Sequence, residues 1–322
     1  MEAYASGVRV SATVFAFVGV TCHILVFFLT RMKAKKDHSA YILLMQIYSC
    51  GTVLRILSGW FVINRAHPFS NGHTVIFSYG IGGLVHPCIT AIVLSLSSQM
   101  GLFSGLCIPI CMAVRAFILY NKTVTKKMII LVMGSVYGLS LVILVATTII
   151  IMNSPVGQLP SRLLEEAKVA PPLAELKEAW EVQIWYAGSN STYLCVPVTF
   201  ILRYVMVRRL KQLNSMISGT SSRSGNLHKS FVTLLSFEAS ILLIGIFVTF
   251  IRWLAKNEYL LSAECGTILG AYSFPILLTM YMFQGIATLT LVPYLRTELL
   301  KPFAKMFRMN SSVMTVEYST QK

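Results

Sequence analysis

Apolar residues in this chain are gathered into long, nearly charge-free blocks, and that clustering constrains the fold more than any other feature. About 20 consecutive apolar residues span the hydrocarbon core of a bilayer as a helix. Backbone N–H and C=O groups cannot go unpaired in lipid, so blocks of this length fold as helices. The blocks lie at about 8–30, 40–63, 75–114, 128–152, 184–207, 231–254 and 266–292. Only 12% of the 322 residues are charged, about half the fraction usual in soluble domains. The short alternating segments of an outer-membrane barrel are absent. The sequence therefore predicts an all-α membrane protein, a bundle of seven transmembrane helices over residues 1–294. An amphipathic segment and tail follow over 295–322.

The uncharged stretch from Thr74 to Val114 is about twice the minimum span, and either one long helix or two helices would fit it. Charge decides. With one helix, the segments 31–39, 115–127, 203–229 and the tail fall on one side of the membrane, with nineteen of the 27 Lys and Arg residues. Seven fall on the other side, and Arg55 lies inside a helix. Lys and Arg accumulate in cytoplasmic loops. The expected topology thus places the N-terminus outside the cell and the C-terminus in the cytoplasm. Splitting the stretch would reverse every later loop. The net charge of +15 is then a topology signal with some attraction to an anionic inner leaflet, not a nucleic-acid footprint.

The first block is too long for a cleaved signal peptide and lacks a small-residue cleavage site, so it reads as a signal-anchor. Seven cysteines, mostly within apolar blocks, do not form a secreted disulfide framework. Asn190, Ser191 and Thr192 match the glycosylation sequon at a helix mouth; Asn121, Lys122 and Thr123 match it on the cytoplasmic side.

No catalytic signature is present: no HExxH, no GxSxG, no phosphate-cradling glycine loop. His23 and His86 are isolated within apolar helices, where histidine more often packs than ligates. No cofactor and no enzymatic role are expected. Transport would favour more intramembrane charge and paired repeats than this chain shows.

A seven-helix receptor accounts for more. Arg115 lies near the cytoplasmic end of the third helix, with Tyr120 beyond it, and Glu238 sits about two turns into the sixth. A buried ion costs several kcal/mol unless paired, so Arg115 and Glu238 are natural partners in an inactive-state lock. Alternatively Arg115 snorkels to lipid phosphates, and Glu238 is neutral or bonded to Ser236 or Ser240. Arg208 and Arg209 extend the fifth helix as a basic end, and Arg296 opens the tail segment. Each is a candidate G-protein contact or a solvated cation obeying the charge bias. Arg55, in the outer half of the second helix, either meets an anionic ligand or snorkels outward. A small-molecule ligand in the outer half would be lined by residues such as Arg55, Tyr193, Trp253 and Tyr272, chosen by depth. Prolines 87, 109, 197 and 275 allow kinks. The acidic, proline-interrupted segment from Ser161 to Trp180 either caps a pocket or is a solvated loop.

The pattern resembles the nematode serpentine chemoreceptors, the seven-helix group that includes the Str and class d families. Phe77, Ser78, Tyr79 and Gly80 resemble the class d sequence before the third helix. Val292, Pro293, Tyr294, Leu295 and Arg296 resemble the Pro-Tyr-Arg element that closes the seventh. The resemblance implies a G-protein-coupled receptor for small chemical cues in the plasma membrane or cilium of sensory neurons, acting on a heterotrimeric G protein. Two features depart from receptor patterns. Val114 and Ala116 flank Arg115 where aromatics are usual, and no cysteine lies between Met152 and Gln183 to pair with Cys88. A seven-helix ligand-gated channel and a small-solute transporter are the alternatives.

Overall fold

The computed structural model describes residues 2–32, 39–68, 73–120, 122–159, 161–217, 222–256 and 262–306. Helix α1 (Glu2–Met32) leads to α2 (Ser39–Val62), strand β1 (Asn64–Pro68) and strand β2 (Thr74–Ser78). A short 3-10 turn (Ile81–Leu84) precedes α3 (Pro87–Leu119) and α4 (Lys126–Asn153). Then come α5 (Ser161–Val169), β3 (Pro172–Leu176), α6 (Ala179–Ile217), α7 (Ser222–Lys256), α8 (Ala263–Leu291) and α9 (Pro293–Met306).

Among the described residues, five segments are long and apolar enough to cross a membrane, in α1, α2, α3, α4 and α8; α7 holds a shorter apolar stretch, Ala239–Arg252. Around the bundle, α1 packs on α2, α2 on α3, α3 on α6, α6 on α7, α7 on α8, and α8 back on α1. Helix α4 rests outside this ring, mainly against α3. Its exposed face is almost wholly apolar, including Ile130, Leu131, Val142 and Ile149. A helix apolar on its open side belongs in lipid, not water.

At one end of the bundle the three strands form an antiparallel sheet in the order β1-β2-β3. This corrects the expectation of a single helix from 75 to 114. Thr74 to Ser78 is a strand with all five residues buried, and the helix begins only at Pro87. Val75, Ile76 and Phe77 suit a pleated, buried surface. Pro87 fits a first helical position, where its missing N–H costs nothing, and it disfavours helix at the residue before it. A side chain at Gly80 would collide with the Phe61 carbonyl oxygen, so the chain turns tightly against the end of α2 there. The stretch is uncharged because its first part is covered by protein, and only the second is long enough to cross a membrane.

Helix α5 and β3 fall within the segment read as a loop or cap. Residue Ser78 anchors the sheet to α2 through its hydroxyl, which donates to the Val62 carbonyl at 2.7 Å. At the opposite end, Val292 closes α8 and Pro293 starts α9, so the Pro-Tyr-Leu-Arg motif is a helix-to-helix corner.

Candidate functional site

Two polar clusters stand out, one at each end of the bundle. The first lies in the half away from the sheet. Arg115 of α3 is only 4% exposed there. It lines a cavity of about 20 Å³ with His23 of α1, Tyr48 and Ser49 of α2, and Gln284 and Thr288 of α8. The Tyr48 hydroxyl donates to Gln284 Oε1, tying α2 to α8. Gly285 beside it has no room for a side chain, because a Cβ would sit 2.7 Å from Cys22 Cβ of α1. The helices at this level are therefore in near-backbone contact around a small polar space.

Nearer the end of α3, the Arg209 guanidinium of α6 lies over the Tyr120 ring, 5.0 Å from its centroid. A cation over an aromatic face is attracted by the ring quadrupole. Two residues singled out from the sequence thus join α3 to α6. Arg203 of α6 donates to the Ser236 hydroxyl of α7 at 3.0 and 3.2 Å. Arg208 and Arg296 are exposed. Glu238 belongs to α7 by its backbone, but its side chain lies outside the described residues, as do those of Tyr193 and Trp253. Ala239, next to Glu238, is buried in a cluster with Met112 of α3 and Met206 of α6. The backbone after Glu238 therefore packs within one turn of Arg115.

In the half nearer the sheet, Arg55 does not reach the surface. Its guanidinium donates to the Ser97 carbonyl and, at 2.5 Å, to the Ser97 hydroxyl of α3. It also sits 5.9 Å from the Phe274 ring centroid of α8. Tyr272 is half-buried over Gly7, whose missing side chain admits its hydroxyl. That contact joins α1 to α8.

The second cluster caps the sheet end, and no sequence argument identified it. Arg65 of β1 and Glu166 of α5 form a buried ion pair in which one guanidinium nitrogen donates to both carboxylate oxygens. The Tyr79 hydroxyl donates to Glu166 Oε1 at 2.5 Å, and the Tyr4 hydroxyl of α1 lies 3.1 Å from that of Tyr79. Arg9 of α1 donates to the Tyr79 carbonyl at 2.7 Å and the Val169 carbonyl at 3.0 Å. Burial pushes the Tyr79 phenol up, and the neighbouring Glu166 carboxylate pushes it further. Burial pulls the Arg65 guanidinium down, but Glu166 outweighs this and holds it above its ordinary value. The cluster staples α5, the sheet and the start of α1 together.

On the rim of the same cap, Glu175 accepts from the Gly157 amide at 2.8 Å and from His73 Nδ1 at 3.1 Å. Burial raises this carboxyl, but the Gly157 amide, His73 and Lys177 outweigh it and hold it below its ordinary 4.5. A depressed carboxylate stabilises fully above the unfolded value and loses that contribution as pH falls through the folded one. Thermal unfolding scanned from pH 6 down should therefore show wild type losing stability below about 4.5, with Glu175→Gln flatter in that window. Equal slopes for the two proteins would refute this role.

A family profile described as serpentine type 7TM GPCR chemoreceptor Srd matches residues 8–301, nearly the whole chain. The chain belongs to the Srd family. A search of curated proteins found no match. The Srd assignment makes this a non-enzymatic membrane receptor and implies a bundle of seven crossings, so α6 and α7 join the five apolar spans. In this Srd receptor the sequence that resembles class d, Phe77 to Gly80, is the end of β2 and the corner that carries Tyr79 into the ion-pair cluster. None of its seven cysteines, Cys88 included, forms a disulfide.

Proposed function

We propose that this Srd receptor sits in the plasma membrane of a sensory cell with its sheet end outside and its α9 end in the cytoplasm. A small chemical cue binds in the outer half of the bundle, and a heterotrimeric G protein engages the opposite end. The concentration of basic groups at that end carries the reading. Arg115 lines the inner cavity, Arg209 stacks on Tyr120, and Arg208 and Arg296 stand exposed to a partner. The excess of Lys and Arg on the same side supports the orientation. Arg55 is the candidate anchor for an anionic group on the cue, since its shell of Ser97 and Phe274 leaves a cation buried in the outer half. Tyr193, Trp253 and Tyr272 are the candidate aromatic lining.

Activation then shifts a two-state bundle. Such a shift needs a cue that binds one state better than the other. The inner contacts that join α3 to α6 and α6 to α7 are those that change when an inner cleft opens. We propose that an Arg115–Glu238 pair holds the closed state, supported by the packing of Ala239 beside Met112.

The test expresses the full chain with tags at both termini and screens small volatile and water-soluble compounds. The expected result is antibody access to the N-terminal tag alone in intact cells, with cue-evoked nucleotide exchange on a G protein. Cue-evoked current that persists without any G protein would favour the channel reading, and cue accumulation in cells the transporter one. An N-terminal tag reached only after permeabilisation would overturn the orientation.

A further inference from the structure

We infer that the cavity between α1, α2, α3 and α8 binds one ordered water molecule, held by His23 and the Gln284 amide, as a hydrated joint between α1 and α8. The inference concerns the resting bundle and does not depend on which partner the receptor engages. Hydrogen-bond accounting carries it. His23 is 1% exposed, and its Nε2 lies 3.1 Å from the Tyr281 carbonyl oxygen. A carbonyl only accepts, so Nε2 carries the ring proton and Nδ1 presents a lone pair. That Nδ1 is buried and has no protein hydrogen-bond partner among the described residues. Also in the lining, Gln284 Oε1 accepts from Tyr48, which leaves the amide nitrogen's hydrogens to donate. Arg115, also in the lining, is a pure donor.

The occupant must therefore donate to one wall and accept from another. Water does both. A simple anion would face the Nδ1 lone pair, and a metal cation would face the Arg115 guanidinium. Size agrees: the cavity of about 20 Å³ exceeds the roughly 10–15 Å³ a single water requires. Buried waters of this kind usually make two to four hydrogen bonds to groups otherwise unsatisfied.

Hydroxyl-radical footprinting reads such a site, because radiolysis of a trapped water labels the side chains beside it. The full-length receptor in nanodiscs is exposed to a synchrotron pulse and digested. Met45 lines the cavity at 5% exposure, whereas Met133 at 3% and Met112 at 0% are buried elsewhere. Met45 is expected to oxidise at least several-fold faster than either control. His23→Leu, which deletes the lone pair, should bring Met45 down to their rate. His23→Asn, which keeps an acceptor, should retain most of it. Labelling of Trp180, exposed at the sheet end, should match in all three proteins and so report intact folding. Equal rates for Met45, Met133 and Met112 in wild type would overturn the proposal without recourse to a variant. Unchanged Met45 labelling in a folded His23→Leu protein would overturn the assignment to His23.

Discussion

Glu166→Ala is expected to destabilise the receptor by about 3–5 kcal/mol, the usual cost of removing one member of a buried ion pair. Glu166 is fully buried and Arg65 nearly so, and the carboxylate also accepts from Tyr79. Without it, Arg65 becomes a cation buried without its carboxylate partner, and the Tyr79 hydroxyl loses its acceptor. The attraction between the two ions is largely offset by their desolvation, so replacing both is far milder than replacing one. The double variant Arg65→Met with Glu166→Leu should therefore recover most of the loss. Thermal unfolding in nanodiscs, compared across wild type, the single variants and the double, measures it. A Glu166→Ala protein within experimental error of wild type would show that water reaches the cluster and that it does not hold α5 to the sheet. Because Arg9 bridges Tyr79 and the end of α5, the same variant should loosen α1 at its start, seen as faster hydrogen exchange there.

How much of this was legible in the sequence depends on the solvent each segment faces. Helices α1, α4 and α8 could be read from composition because lipid demands an apolar exterior over a full span. The cap could not. Arg65 and Glu166 are 101 residues apart in sequence, and each lies in a short polar segment between apolar blocks, where a charge ordinarily meets water. Nothing periodic links them; their pairing exists only because β2 brings β1 beside the chain that follows α4. One local signal was available and is physical. The Asn71-Gly72 dipeptide is a turn signal in the sequence, and Val75, Ile76 and Phe77 follow as a strand-forming run that Gly80 ends. Hydropathy absorbed that run into the third helix, since a strand buried by protein and a helix buried by lipid are equally uncharged. Arg55 illustrates the same limit: depth marked a cation in the half nearer the sheet, but its bonds to Ser97 on the facing helix required the packing of α2 on α3. At the other end, Tyr120 and Arg209 were separately legible as residues at helix ends, but their stacking required the packing of α3 on α6.

Glu238→Gln is expected to raise signalling in the absence of any cue by at least tenfold. A minor active state of about 1% lies about 2.7 kcal/mol above the inactive one, at about 1.4 kcal/mol per factor of ten. Neutralising one partner of an Arg115–Glu238 pair removes a charge-assisted interaction of about 1.5–3 kcal/mol from the closed state. Glutamine keeps the shape and some hydrogen bonding, so the shift falls at the low end, and Glu238→Ala should exceed it. Arg115→Met should raise basal activity too, and the two effects should not add, because each removes the same interaction. Basal nucleotide exchange in membranes, normalised to receptor number, reads all three variants and the double. Additive effects would mean that Arg115 and Glu238 act through separate contacts, and an unchanged Glu238→Gln would remove the lock altogether. The cavity lined by Arg115 would then matter for packing α1, α2 and α8, and control of the inner cleft would pass to the Tyr120–Arg209 stack between α3 and α6.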